Sequence, residues 1–420
     1  MKHGYYIILL FLSVSLGFSQ QHETLTLEGC YTLAEQNYPL IKQSQLLEKS
    51  KEYSISNAGK GYLPNISIAG QATYQSDVTA FPGAAAGSGY PIIPKDQYKL
   101  YGEVSQPLTK MFYVEKEKKL AEAGADVEFQ NLQVQLYQIK NRINQLYFGV
   151  LLIDEQVKQN KLLQTDIQSG ISKTKVAFAN GTALQSDLDN LTAELLNAQQ
   201  TEITLNANRQ GYANMLSYFI GTSINEKIVL ETPIVQVSNT VINRPELQLF
   251  DKRKKIYNIQ NALLNFKTLP QFNVFFQGGM GQPALNILDE SLDSYYITGL
   301  RLNWDISSFY TSKKNKKINN MQQELINTDR ETFLFNTNLE LKQQQTEIDK
   351  ISELIKTDNN IITLRENVKN TTKTQLEYGT ATTNDYIIAV NEVDKARQNL
   401  VLHSIQLLKA QYDYKNTSGN

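Results

Sequence analysis

Lys175 to Leu188 reads KVAFANGTALQSDL, and far downstream Thr374 to Tyr386 reads TQLEYGTATTNDY. Each stretch holds a Gly-Thr-Ala turn, Gly181 or Gly379, with an aspartate six positions later, Asp187 or Asp385. The repeat distance is far longer than the roughly 20 to 50 residues of a solenoid unit, so it reads as a duplicated half-protein. The likeness extends outward from the turns. Leu63-Pro64 followed by NISIAGQATY matches Leu269-Pro270 followed by QFNVFFQGGM, and Tyr98 to Leu108 matches Tyr296 to Ile306. The second half is shorter between its paired segments, opposite the Pro-, Gly- and Ala-rich stretch between Tyr74 and Tyr98, which reads as an exposed loop. Each half therefore reads as helix, strand, loop, strand, long helix, turn, helix.

The N-terminus predicts export. Lys2 and His3 precede an apolar run from Tyr5 to Phe11, extended through Leu16, and Gly17 and Ser19 stand at the minus-three and minus-one positions of a cut before Gln20. Residues 1–19 thus read as a secretory signal peptide, and a mature start at Gln rather than Cys argues against lipid attachment. The bulk composition excludes other classes. Net charge is −1 over 420 residues, with 41 Lys and Arg interspersed among 42 Asp and Glu, so no nucleic-acid partner is expected. Lys313, Lys314, Lys316 and Lys317 form the one dense basic cluster and read as a solvated helix start. Cys30 is the single cysteine, which excludes an internal disulfide and a cysteine-based metal site.

Beyond the signal, no run reaches the roughly 18 apolar residues of a membrane-spanning helix. If the exported chain sits in a membrane it must do so as a closed β-barrel, because lipid cannot satisfy an open sheet edge. Four segments fit that role, at about 63–76, 97–108, 269–282 and 294–307. In the first, Ile66, Ile68, Gly70, Ala72 and Tyr74 alternate with polar neighbours, and in the third Phe272, Val274, Phe276, Gly278 and Met280 do the same. In their partners Tyr98, Leu100, Gly102, Val104 and Leu108, and Tyr296, Leu300, Leu302, Trp304 and Ile306, share one face, opposite Lys99, Glu103, Arg301, Asn303 and Asp305. This is the apolar-out, polar-in period of a barrel strand, with aromatics toward the ends. Four strands cannot close around a passage, so the chain is expected to contribute part of a shared, cyclically symmetric barrel.

The helices are also too long for a globule. Leu132, Leu136, Ile139, Ile143, Leu146, Val150, Ile153 and Val157 alternate steps of four and three, a coiled-coil seam within a helix expected over about Lys116 to Phe178. A return helix is expected from Ala183 to Ile220, and the second half repeats the pair from Lys316 to Glu377 and from Thr382 to Lys415. A narrow apolar stripe with a broad Gln-, Asn-, Ser- and Thr-rich surface suits helices set side by side in a ring around water.

Taken in order, these features resemble the TolC-like outer-membrane efflux family, the outer membrane factors. The likeness covers nearly the whole mature chain: Ala34, Asn37 and Pro39 in the opening helix, Leu-Pro at 63–64 and 269–270, Gln106-Pro107-Leu108, Arg244-Pro245-Glu246-Leu247, and both Gly-to-Asp tips. It implies an α+β membrane protein built as a homotrimer, with a 12-stranded β-barrel, four strands per chain, continued by a long periplasmic α-helical coiled-coil barrel. The implied organisation is a first repeat over 20–221 with its tip near 181, an equatorial linker over 222–243, and a second repeat over 244–420 with its tip near 379. The implied function is the outer-membrane exit duct of a tripartite efflux pump or a type I secretion system in a Gram-negative bacterium, without chemistry or cofactor. Its partners would be outer-membrane lipid, a periplasmic adaptor (membrane fusion) protein and an inner-membrane transporter.

By the same resemblance Asn180, Gly181, Thr182, Ala183, Gly379, Thr380 and Ala381 meet the adaptor, although a tight helix-to-helix turn favours glycine without any partner. Asp187 and Asp385 match the tip-proximal aspartates, and Asp385 could form a ring of carboxylates around a three-fold axis. Thr382-x-x-Asp385 equally fits a capping box. The chain departs from the family where an Arg and a Tyr lock the closed tip: Ala381 and Leu376 stand there, and Ile388 replaces a second gate carboxylate. The expected gate is accordingly apolar, built from Leu376, Ile387 and Ile388.

An enzyme is not expected. No HExxH, GxSxG or phosphate-loop pattern organises His22 and His403, and the Gly278-Gly279-Met280-Gly281 run lacks a following GK[ST]. The remaining rival is a non-pore periplasmic coiled-coil adaptor or structural envelope protein. Two strand pairs, each set between helical segments, separate the readings.

Overall fold

The computed structural model describes residues 24–80, 82, 93–224, 229–234 and 241–420. The expected signal peptide over 1–19 lies outside these residues, as do much of the Pro- and Gly-rich stretch before Tyr98 and part of the 222–243 linker. In chain order the elements are β1 (Thr24–Leu25), α1 (Leu27–Asn37), α2 (Lys42–Gly59), β2 (Asn65–Tyr74), β3 (Asp96–Pro107), α3 (Met111–Ala179), α4 (Gln185–Ile220), β4 (Val229–Leu230), α5 (Pro245–Lys267), β5 (Gln271–Gln282), β6 (Asp293–Asn303), α6 (Ser308–Glu377) and α7 (Thr383–Ser418). The order helix, strand, strand, long helix, shorter helix thus occurs twice, from α2 and from α5. Among the described residues no helix is long and apolar enough to cross a membrane.

The chain forms two compact units, one from the described residues within 24–38, 140–237 and 346–413, the other from those within 39–139, 238–345 and 414–420. The first unit holds β1, α1, α4, β4 and the tip-bearing segments of α3, α6 and α7. Thr26 starts α1, its Oγ1 accepting from Gly29 N at 3.0 Å, and Leu27, Cys30 and Ala34 are buried on one side of the helix. At the other end, the Asn37 amide donates to the carbonyls of Tyr218 and Phe219 at 3.3 and 3.2 Å, satisfying the last turn of α4. Gly221 follows with φ +71°, and a Cβ there would lie 2.6 Å from Asn37. β1 and β4 pair in parallel, and Tyr147 Oη lies 2.8 Å from the Leu25 carbonyl and 2.7 Å from that of Glu231, a short polar tie from α3 to both strand ends.

The second unit holds the main sheet. Its order is β2-β3-β5-β6, antiparallel throughout, with Ile68 opposite Gly102, Gly102 opposite Gly278 and Gly278 opposite Tyr296. Matched register keeps the period-two alternation of all four strands on common faces. β6 stops at Asn303, short of the expected 307, so Trp304, Asp305 and Ile306 are not strand residues. Local polar bonding ends the strand: Asp305 Oδ1 accepts from Ser307 N at 3.0 Å and its carbonyl from Ser308 Oγ at 2.8 Å, while the Trp304 indole donates to the Thr268 carbonyl at 3.1 Å. α6 therefore begins at Ser308 and α3 at Met111, both earlier than expected, and Lys313, Lys314, Lys316 and Lys317 lie inside α6. Along α3, Leu132, Leu136, Ile139, Ile143, Leu146, Val150 and Ile153 are buried, and Val157 is half-buried.

Candidate functional site

The two helix-to-helix turns use one geometry. Gly181 has φ +74° and Gly379 φ +70°, the left-handed conformation in which glycine avoids a Cβ clash. Gly181 N donates to the Phe178 carbonyl at 2.9 Å, and Gly379 N to that of Leu376 at 3.1 Å. The following threonine closes each helix twice over. Thr182 donates from N and Oγ1 to the Ala177 carbonyl at 2.9 and 3.0 Å, as Thr380 does to the Gln375 carbonyl at 2.9 and 3.1 Å. Asn180, Gly181, Thr182, Gly379 and Thr380 are exposed, and Ala183 and Ala381 half-buried. Nothing lies within 4 Å of where a Cβ on either glycine would stand, so these backbones are open to approach.

The aspartates start the return helices. Asp187 Oδ2 accepts from Leu184 N at 2.9 Å; leucine has no side-chain acceptor and Asp187 N donates to the Leu184 carbonyl at 3.1 Å instead, so only half a capping box exists. At the second tip the box is complete. Asp385 Oδ2 accepts from Thr382 N at 2.9 Å and Thr382 Oγ1 at 2.6 Å, while Asp385 N donates to Thr382 Oγ1 at 3.1 Å. The Thr382 hydroxyl and then its amide hold the Asp385 carboxyl below the usual carboxylate range.

The three expected gate aliphatics do not form one cluster. Leu376 and Ile387 pack against a core of Ile167, Leu191, Ala198, Tyr386 and Val390, whereas Ile388 is exposed. Sequence reasoning missed what surrounds them. The Lys369 ammonium, almost buried, donates to Asp166 Oδ2 at 2.8 Å, and the fully buried Tyr386 ring sends its hydroxyl to the Asp166 carbonyl at 3.1 Å. Gly170 makes room for that ring, since a Cβ there would lie 2.7 Å from it. Lys173 pairs with Glu377, and the Asn391 amide donates to Glu194 Oε1 at 2.7 Å. The α6–α7 hairpin is thus tied to the α3–α4 hairpin by a half-buried charge pair, a buried aromatic knob and peripheral polar bonds. The available signal was Gly170, a glycine deep inside a helix, where close packing is the usual reason to keep it.

On the main sheet one face carries Ile66, Ile68, Leu100, Val104, Phe272, Val274, Phe276, Met280, Tyr296, Leu300 and Leu302, all exposed, with Ile68 at 81% and Leu300 at 73%. The opposite face carries the charged strand residues Lys99, Glu103, Asp293 and Arg301 among Gln, Asn, Ser, Thr and aromatic neighbours. Edge strands β2 and β6 are each paired on one side only among the described residues.

A four-stranded antiparallel sheet with an apolar exposed face, combined with two α-hairpins of about 70-residue and 36-residue helices, is a fold also found in solved outer-membrane channels. Solved structures that share it include the outer membrane protein VceC of Vibrio cholerae, 13% identical with a TM-score of 0.65 over 94% of this chain and 96% of that one. The Campylobacter jejuni CmeC outer membrane channel is 13% identical, TM-score 0.64, over 94% and 85% of the two chains. The open-state Neisseria gonorrhoeae MtrE outer membrane channel is 13% identical, TM-score 0.66, over 94% and 89%. No family model and no curated protein matches the sequence.

Proposed function

We propose that this chain is the outer-membrane exit duct of a tripartite efflux pump or type I secretion system of a Gram-negative bacterium. Three copies each give β2, β3, β5 and β6 to a 12-stranded barrel, and their long helices line a periplasmic tunnel. The two halves, 20–221 and 244–420, are products of an internal duplication, joined by an equatorial linker over 222–243. Solute passes without chemistry. The observation that carries the reading is the exposed apolar sheet face with two edges left to pair: water disfavours an apolar face of this extent, lipid cannot satisfy open edges, and a lipid-embedded closed barrel answers both. The fold shared with VceC, CmeC and MtrE supports it. A periplasmic adaptor without a pore would have to cover that face by other means.

The tips around Gly181 and Gly379 meet a periplasmic adaptor, which links the duct to an inner-membrane transporter. Their open left-handed turns permit close backbone approach. The periplasmic end is gated where Asp187, Asp385, Leu376, Ile387 and Ile388 lie. Exposed Ile388 and Asp385 are free to meet their symmetry copies, while Leu376 and Ile387 hold the hairpin that presents them. Planar-bilayer conductance of detergent-purified protein tests this. Discrete channel events, with altered ion selectivity in Asp385→Ala, are expected; a water-soluble monomer that needs no detergent would sink the duct.

A further inference from the structure

Arg301 on β6 and Glu103 on β3 lie on the polar face of the sheet and meet across β5. The register puts Asn273 opposite Arg301 and Gln277 opposite Glu103, so the two side chains reach toward each other diagonally over Phe275, which lies between those levels. The guanidinium donates through Nη1 and Nη2 to both carboxylate oxygens, at 3.0 and 3.3 Å, a two-pronged charge-assisted pair. Its Cζ stands 4.4 Å from the Phe275 ring centroid, a cation–π contact. Gly299 sits opposite Phe275, and a Cβ there would be in ordinary van der Waals contact with the ring, 3.4 Å away. The Glu103 side chain is 17% exposed and that of Arg301 50%, so the carboxylate is covered and the outer face of the guanidinium is open.

On the duct reading, this face lines the lumen, because the opposite one carries the aliphatics and only one charged strand residue, Asp96 at the first position of β3. The four charges on the polar face cancel. Lys99 and Asp293 are both opposite Gly281, on one level of the sheet, and Glu103 and Arg301 balance each other across the levels next to Phe275. A single-sign ring of charges at such a place would select ions of the other sign.

We propose that Glu103 and Arg301 are selectivity-determining residues of the barrel segment: their mutual cancellation lets solutes of either charge pass. Removing one partner exposes the other's charge to the lumen in every copy. The test is the reversal potential of single channels in planar bilayers under a KCl gradient, using the full chain. Glu103→Gln should shift it toward the chloride potential, Arg301→Gln toward the potassium potential, and the exchange Glu103→Arg with Arg301→Glu should return it close to that of the unaltered protein. A second readout works within one folded sample. In Arg301→Cys channels, a cationic thiol reagent should move the potential back toward the unaltered value and an anionic reagent further toward potassium; Cys30 is fully buried and stays silent. Conducting variants whose reversal potential does not move, before or after thiol modification, would overturn the proposal and leave the pair as a staple between strands. A water-soluble monomer that needs no detergent would overturn the duct itself, and the proposal with it.

Discussion

The two tips share a glycine turn and a threonine closure but differ in how the returning helix starts. At the first, Leu184 contributes a backbone amide to Asp187 and no side-chain bond; at the second, Thr382 and Asp385 exchange three hydrogen bonds. The better-capped hairpin is also the one whose helices supply Lys369 and Tyr386 to Asp166 of its neighbour. The two like turns therefore differ in how firmly the returning helix is anchored. The first tip is a plain turn with exposed Phe178 and Leu184, and the second is fixed at its cap and at a buried tie behind it.

The largest effect is expected at that tie. Tyr386→Ala removes a fully buried aromatic that fills the space over Gly170, and should destabilise by about 3 to 5 kcal/mol, as such truncations do. Tyr386→Phe keeps the ring and loses one hydrogen bond, so roughly 1 kcal/mol is expected. Thermal unfolding in detergent, compared among the three proteins, checks the ordering. Equal losses in the two variants would mean that the hydroxyl bond to Asp166, not the knob, joins the hairpins.

A smaller effect sharpens the likeness of the tips. Ala at Gly181 or Gly379 meets no atom within 4 Å, so its cost is the left-handed backbone alone, roughly 1 to 2 kcal/mol for an L-residue, and the same at both tips. Unfolding of Gly181→Ala and Gly379→Ala in detergent measures it. Unequal losses would show that one turn carries strain or contacts the other lacks.

Much of the architecture was legible because its signals are periodic. Period-two alternation marked the four strands, and the four-three spacing from Leu132 to Ile153 marked a seam that is buried. Glycine followed by threonine located both turns. The end of β6 was misread because alternation continues through Trp304 and Ile306, while the Asp305 and Ser308 side chains, which end the strand, obey no period. The tie at Asp166 was invisible for a related reason. Lys369 reads as one more solvated lysine on a polar helix, and its partner lies 203 positions away. Adjacent positions in sequence also say little about facing: helical geometry turns Ile387 toward the core and its neighbour Ile388 outward.

The smallest effect tests the caps by pH. The Asp385 carboxyl is held below its usual range, chiefly by the Thr382 hydroxyl and next by its amide. A carboxyl depressed in the folded protein stabilises it fully above its unfolded value, and that contribution disappears as pH falls through the lowered folded value. Acidification from neutral should thus leave the second cap intact until the medium is more acidic than an ordinary carboxylate requires. Amide exchange at Thr382, read as the difference between the unaltered protein and Asp385→Ala at each pH so that intrinsic rates cancel, should be large at neutral pH and shrink toward zero in acid. Leu184→Thr adds a hydroxyl where the first tip has none, a second acceptor for the Asp187 amide beside the residue-184 carbonyl to which it donates at 3.1 Å, and it should slow exchange at that amide further. If that variant leaves the first tip unchanged, the missing hydroxyl is not what distinguishes the two caps, and the difference must come from the buried tie behind the second.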